Sequence, residues 1–314
     1  MFKNLTKIST VGMERDEWLD HRRRTIGGSE ASAILGLNPW CSPYTVWADK
    51  LGKLPPKEDN EALRLGRDLE DYVAKRFTEA TGKKVRRENA ILYNEAYPFA
   101  HANVDRVVIG EDAGLECKTT SSLNLKKFKG GEYPANYYVQ CMHYMMVTGA
   151  KRWYLAVLVL GSGFFVFEIE RDEDEIAALI EAEKDFYEKH ILAGAAPMAD
   201  GKQSTTEAIA AVYPEETAET VSLLAYEAEL QAYSAICERI KELERDKDEC
   251  ANKIKAFLGE CEGGESDGYK VSWKTTTRES FDYKRFIRDH EEIDLSQYFK
   301  RSSYRSFKII KKEN

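Results

Sequence analysis

Residues 103–118, Asn-Val-Asp-Arg-Val-Val-Ile-Gly-Glu-Asp-Ala-Gly-Leu-Glu-Cys-Lys, limit what this chain can fold into more than any other stretch. They predict two short strands joined by a Gly-bounded turn, with Asp105 on the first strand and Glu116 and Lys118 on the second. Side chains alternate faces along a strand, so Glu116 and Lys118 share one face while Cys117 takes the other. The turn folds the first strand back and brings Asp105 toward Glu116. Val104, Val107, Val108 and Leu115 are apolar, so these charges belong to a largely buried sheet, where each needs a partner or a metal. Two carboxylates beside one ammonium suit a divalent metal and an attacking water. Hard oxygen ligands favour Mg²⁺ or Mn²⁺. The pattern D-x10-E-x-K therefore suggests metal-dependent cleavage of a phosphodiester. A surface hairpin with solvated charges is the simpler alternative, because E-x-K triplets are abundant.

The flanking sequence predicts a mixed sheet with helices on its faces. Helices are expected at Glu14 to Arg23, at Ala31 to Leu35 with Ser29 as its cap, at Pro43 to Lys50, and at Asn60 to Thr81. The last carries an apolar stripe of Leu63, Leu69, Val73 and Phe77 and is stopped by Gly82. Strands are expected at 83–93, 99–109, 114–120, 152–160 and 163–170, with helices at Asn136 to Thr148 and 172–190. From Tyr233 onward Ile236, Ile240, Leu243, Lys247, Cys250, Ile254 and Phe257 follow alternating steps of three and four, the mark of a helical seam. One helix over 217–259 would be about 65 Å long at 1.5 Å per residue, and a helical hairpin fits equally well. Beyond Gly263-Gly264 the pattern predicts a strand over Tyr269 to Thr276, a helix near 282–290 and a closing strand around Tyr304 to Ile310. The expected organisation is a catalytic domain over 1–199, an acidic helical segment over 200–262 and a small strand–helix segment over 263–314.

A chain of 314 residues with 43% hydrophobic and 32% charged content has a core of ordinary size. No apolar run has membrane-spanning length, and the first residues lack the apolar stretch of a signal peptide, which predicts an intracellular protein. The six cysteines show no C-x-x-C pair, so buried free thiols are expected rather than a zinc site, a disulfide framework or an iron–sulfur cluster. The net charge of −8 is unevenly spread. Residues 1–171 carry +3, residues 172–262 carry −14 and residues 263–314 carry +3. The first segment can thus still offer a basic face to phosphates.

Two further features sit beside the hairpin. Glu70, between Gly66 and Val73, falls at the edge of a buried stripe, where it could enlarge a metal site; a solvent-facing glutamate is the alternative. Gln140 and Tyr144 are four apart and share a helix face, from which they could steady the substrate or the lysine.

The ordered set Trp18-x3-Arg22, Ile26-Gly27-Gly28-Ser29-Glu30-Ala31, Gly66-x3-Glu70, Asp105, Glu116-Cys117-Lys118 and Gln140-x3-Tyr144 resembles the YqaJ-type viral recombinase family. That family is similar to lambda exonuclease, within the PD-(D/E)xK nuclease superfamily, and the resemblance spans about residues 14–195. It implies a restriction-endonuclease-like α/β fold. It also implies that Asp105, Glu116 and the backbone carbonyl of Cys117 hold a metal, Mg²⁺ with Mn²⁺ as substitute. Glu70 would assist with that ion or a second, and Lys118 would orient and help deprotonate the water. Arg22 and Ser29 fall where the family binds a terminal 5′-phosphate, with Arg23 and Arg24 as rivals to Arg22.

The activity so implied is 5′-to-3′ digestion of one strand of linear double-stranded DNA. A single strand would be left for an annealing protein in phage-type recombination, in the cytoplasm of a bacterial host. Relatives form toroidal trimers, so a homotrimer is a further expectation. Two readings compete: a structure-specific or restriction-like endonuclease using the same site, and a non-catalytic DNA-binding partner of an annealing protein.

Overall fold

A computed structural model of the protein describes residues 2, 5–56, 59–290, 293–300 and 303–312. The chain divides into two units, Met1–Pro214 and Glu215–Asn314.

The first unit begins with strand β1 (Thr6–Ser9), helix α1 (Arg15–Arg24), the two-residue strand β2 (Ile26–Gly27) and helices α2 (Gly28–Ile34) and α3 (Pro43–Lys50). Helix α4 (Glu61–Thr81) follows, then strands β3 (Val85–Arg87), β4 (Ala90–Tyr93), β5 (Ala100–Ala102), β6 (Arg106–Val108) and β7 (Ala113–Thr120). Helix α5 (Ala135–Thr148) crosses over to β8 (Arg152–Val159), which turns into β9 (Gly163–Glu170). Helix α6 (Glu173–Phe186) ends in a π turn, Tyr187–Leu192, and α7 (Gln203–Val212) completes the unit.

Five strands form a mixed sheet in the order β3-β6-β7-β8-β9, in which only the β7–β8 pair is parallel. Its strands alternate strictly. Trp153, Leu155, Val157 and Val159 pack with Met142, Met145 and Met146 of α5. Leu115, Tyr154 and Ala156 pack with Val73, Ala74 and Phe77 of α4. The parallel pair needs a crossover, and α5 supplies it. Gly114 is required where β7 meets β8, since a Cβ there would lie 2.2 Å from the Trp153 ring.

Helix α4 starts at Asn60, whose side chain accepts from the Leu63 N–H, and stops at left-handed Gly82 (φ +72°). Only its C-terminal half is buried. Leu63 is exposed, contrary to the stripe read from the sequence, because the contact with the sheet is made by Val73, Ala74 and Phe77 in the second half of the helix.

Four short strands form a second sheet in the order β1-β4-β5-β2. The spans 83–93 and 99–109, read as single strands, are each divided between the two sheets. The antiparallel ladder runs from Val85↔Val108 to Arg87↔Arg106, breaks, and resumes at Leu92↔Ala102 in the other sheet. Segments 88–89 and 103–105 lie in the break. Asp105 consequently precedes β6 rather than lying on a strand.

Two buried anchors hold the layers together. His143 of α5 meets Glu183 of α6 at 2.7 Å and the His101 carbonyl of β5 at 2.9 Å, with both side chains fully buried. The Trp47 indole N–H donates to the Gly194 carbonyl, and Thr45 Oγ1 donates to the Ser204 carbonyl, which keeps the chain through α7 on this unit.

The second unit holds helix α8 (Glu227–Leu258), a hairpin of β10 (Gly263–Glu265) and β11 (Lys270–Ser272), and helix α9 (Tyr283–Asp289). The helix is shorter than the span 217–259 and is not a hairpin, and residues 303–310 carry no strand where a closing one was expected. Among the described residues no helix is long and apolar enough to cross a membrane. Cys141 is buried as expected, whereas Cys250 and Cys261 are exposed.

Candidate active site

The break in the ladder opens a cleft of about 190 Å³ whose lining includes Trp18, Glu70, Asn103, Asp105 and Arg106. Asp105, half-buried, is fixed from below: its Oδ2 accepts from the Cys117 N–H at 2.8 Å. That bond joins the irregular segment before β6 to the middle of β7. Glu116 and Lys118 share the α5 face of β7, and the Lys118 ammonium meets Glu116 Oε1 at 2.5 Å. Cys117 turns to the other face and packs in the cluster under α4. The strand alternation read from the sequence thus holds.

Glu116 is 2% exposed. Gln140 Nε2 donates to its Oε1 at 2.8 Å and to Tyr144 Oη at 2.8 Å. Gln140 and Tyr144 share a face of α5 as expected, and that face braces Glu116 rather than Lys118. Both are buried. The Lys118 ammonium also stands 5.3 Å from the Tyr137 ring centroid. Glu116 Oε2 is buried and has no hydrogen-bond partner.

Charge at this point is unbalanced. Burial, Glu116 and Glu70 push the Asp105 carboxyl well above the usual range, against the pull of Lys118 and the Cys117 N–H. Burial alone would lower the Lys118 pKa, but Glu116 and Asp105 outweigh it and hold the ammonium above its usual value. Lys118 is therefore a charged donor in this state. Burial, Asp105 and Glu116 also push the Cys117 thiol up, so it stays protonated.

Glu70 reaches the cleft from α4 but is paired with Arg106, which also bonds Asp71 Oδ1 at 2.6 Å. Arg106 is 4% exposed and was not singled out from the sequence, although a buried arginine beside Asp105 demands acidic partners. Among the described residues no group of three or more His, Cys, Asp or Glu side chains is gathered as a ready-made metal cage. Two carboxylates with one orphaned oxygen nevertheless fit Mg²⁺, which keeps several waters and binds through one or two carboxylates.

Arg22 and Ser29 form a second cluster. Arg22 Nη2 donates to Ser29 Oγ at 3.3 Å, and its guanidinium lies 4.6 Å from the Trp18 ring centroid. Of the three consecutive arginines, Arg22 is the one that meets Ser29; Arg23 pairs with Asp20 and Arg24 is exposed. Ser29 does not cap a helix at Ala31, because α2 starts at Gly28. The Gly27 N–H donates instead to Glu30 Oε2 at 2.8 Å.

Beneath this cluster the Lys50 ammonium is buried against Glu30 (2.6 Å) and the Thr25 carbonyl (2.7 Å), an anchor that sequence reasoning missed. Burial alone would raise the Glu30 carboxyl, but Lys50 and Arg22 pull it below the usual range. Trp18, which stacks on Arg22, lines the same cleft as Asp105 and so links the two clusters.

Gly28 packs against α5 so closely that a Cβ would lie 2.6 Å from the Tyr144 ring. Gly28→Ala is expected to cost about 1–3 kcal/mol by overpacking. Displacement of Tyr144, and with it Gln140 and Glu116, should also lower activity. Urea unfolding together with turnover of a DNA substrate checks both, and an unchanged variant would show that α5 yields freely.

The YqaJ-like viral recombinase domain model matches residues 17–151. Protein YqaJ of Bacillus subtilis (strain 168) is 42% identical over 298 residues, covering 92% of this chain and 93% of the relative. The chain belongs to the YqaJ-like viral recombinase family. Among solved structures, an alkaline exonuclease from Laribacter hongkongensis is similar at 20% identity with a TM-score of 0.50, over 57% of this chain and 93% of that one. The restriction-endonuclease-like architecture expected from the sequence is thus the observed one, and family membership agrees with the ordered motifs from Trp18 to Tyr144.

Proposed function

We propose that this protein is a Mg²⁺-dependent exonuclease that digests one strand of linear double-stranded DNA from its 5′ end, supplying single strands for annealing-type recombination. The observation that carries this reading is the junction of Asp105, Glu116 and Lys118, with a buried carboxylate oxygen left unpartnered. Membership of a viral recombinase family and the fold shared with an alkaline exonuclease support it.

Asp105, Glu116 and the Cys117 carbonyl would hold the ion, with Glu70 in reserve on Arg106. Bound there, Mg²⁺ would polarise the phosphoryl group and lower the pKa of the attacking water. Gln140 keeps Glu116 aimed into the site, and the Cys117 N–H keeps Asp105 there. Lys118, held as an ammonium, can donate to the water and to a phosphate oxygen and so place one against the other. Arg22 and Ser29, with Trp18 and Glu30 steadying the guanidinium, would grip a terminal 5′-phosphate. That grip is what favours an end over an internal bond.

End-labelled duplex with 5′-phosphate or 5′-hydroxyl ends, digested in Mg²⁺ and in EDTA, tests the reading. Faster loss of the phosphorylated strand in Mg²⁺, none in EDTA and intact closed circles are expected. Cleavage of closed circles would instead favour the endonuclease.

The ion also has a signature without DNA. Asp105 binds its proton more tightly when folded than when unfolded. Its contribution to stability is therefore present below the ordinary carboxylate pKa and lost as pH rises through the folded value. In EDTA at neutral pH, Asp105→Asn should melt above wild type, by about 2–4 °C per kcal/mol of repulsion removed. Mg²⁺ at about 100 times its Kd should add roughly 2.7 kcal/mol to wild type and nothing to the variant. Equal Mg²⁺ stabilisation of both proteins would remove Asp105 from the ion site.

A further inference from the structure

We propose, on the reading that Arg22 and Ser29 grip a terminal 5′-phosphate, that Lys50 is a positioning residue for that grip. It holds Glu30 off Arg22 and so sets the preference for a phosphorylated DNA end. Lys50 is the last residue of α3, and its side chain is 1% exposed. Its ammonium donates to Glu30 Oε2 at 2.6 Å, to the Arg22 carbonyl at 2.5 Å and to the Thr25 carbonyl at 2.7 Å. Burial draws its pKa down against the pull of Glu30, yet three acceptors need three N–H donors, which only the charged form has. The two carbonyls belong to the last turn and the cap of α1, where a helix leaves its acceptors without internal partners. One side chain from α3 thus ties the end of the helix that carries Arg22 to the carboxylate next to Ser29.

Glu30 gives this tie its consequence. Its Oε2 is held by Lys50 and by the Gly27 N–H at 2.8 Å, while its Oε1 stands 3.7 Å from Arg22 Nη2. That gap is about 1 Å longer than a charge-assisted hydrogen bond. Glu30 and Lys50 cancel, which leaves the positive charge of Arg22 for an anion. Without the ammonium, a largely buried carboxylate would lack its counter-charge and would draw the guanidinium into a two-bond pair. The N–H groups that a phosphate needs would then be spent. Arg22 is the partner that moves, because the start of α2 is wedged. A Cβ on Gly27 would lie 2.9 Å from His101, and one on Gly28 would lie 2.6 Å from Tyr144. The Arg22 side chain is 26% exposed and rests on the Trp18 ring.

The ratio of kcat/KM on 5′-phosphorylated duplex to that on 5′-hydroxyl duplex, measured in Mg²⁺, reads this role. A wild-type ratio of one, with both ends digested, would overturn the phosphate grip itself and the role of Lys50 with it. Where wild type prefers the phosphorylated end, Lys50→Gln is expected to lower the ratio about tenfold, the worth of one hydrogen bond to a charged group. That variant keeps N–H donors for the two carbonyls and removes only the charge. The loss should appear as a raised KM for the phosphorylated end. Equal losses on both substrates, with the wild-type ratio kept, would mark a merely structural lysine and overturn the proposal while the grip stands. Lys50→Met, of similar length but without donors, carries the same expectation and replaces Lys50→Gln if circular dichroism shows the latter unfolded. Lys50→Gln/Glu30→Gln removes both charges and should restore most of the ratio. A ratio that stays at the single-variant value would overturn capture by Glu30, and the proposal with it.

Discussion

Glu116→Gln is expected to leave a folded protein whose DNA breakdown in Mg²⁺ falls about 10³-fold or more. The substitution preserves shape, and the side chain can still accept from Gln140, so the bracing by α5 survives. What disappears is the charge on an oxygen that no protein group satisfies and on the one that faces Lys118 at 2.5 Å. A divalent ion loses a ligand, and the lysine loses its main counter-charge. An effect of about 4 kcal/mol on the transition state corresponds to that factor. Single-turnover digestion of an end-labelled duplex measures it, with thermal melting as the control for folding. Activity within tenfold of wild type would mean that Glu116 does not serve the reaction.

His143→Leu should destabilise the first unit by roughly 3–5 kcal/mol, because it strands Glu183 as a buried carboxylate without its partner. For a unit of this size the melting temperature should fall on the order of 10 °C. His143→Leu/Glu183→Leu should recover most of the loss, since an apolar pair of similar volume replaces the ion pair.

The pH dependence has a definite sign. Burial by itself would lower the His143 pKa, but Glu183 and the bond to the His101 carbonyl raise it above the usual value. Its stabilisation is complete below about pH 6.5 and is lost as pH rises through the folded pKa. Burial, Lys50 and Arg22 hold His101 well below 6.5, so it titrates in the opposite sense. The His143 effect is therefore read as the difference between wild type and the double variant across pH 6 to 9. A flat difference would show that the folded pair holds its proton no more tightly than the unfolded chain does.

Much of the site was legible because its geometry follows from strand alternation. Glu116, Lys118 and Cys117 had to alternate, and Gln140 and Tyr144 had to share a helix face; both relations hold. The position of Asp105 was not legible in the same way. The stretch from 99 to 109 looks like one strand, and nothing in it says that the ladder will change sheets between Ala102 and Arg106. Arg106 was hidden for a related reason, because its partners Glu70 and Asp71 lie on a helix distant in sequence. Lys50 gave no warning either, as a lysine at the end of a helix is normally solvated. Only folding places it beneath Glu30.

The sequence by itself determined most helices of the first unit, the family and the carboxylate–lysine pair, since these depend on periodicity and on residues close along the chain, but it did not determine where the strands of 83–109 divide. Tertiary structure alone decided that the break between the two sheets is the cleft. It also decided that Gln140 serves Glu116 and that Arg22, rather than Arg23 or Arg24, meets Ser29. These depend on which distant surfaces bury one another and on which buried charges must then find partners. Local propensity carries no information about either.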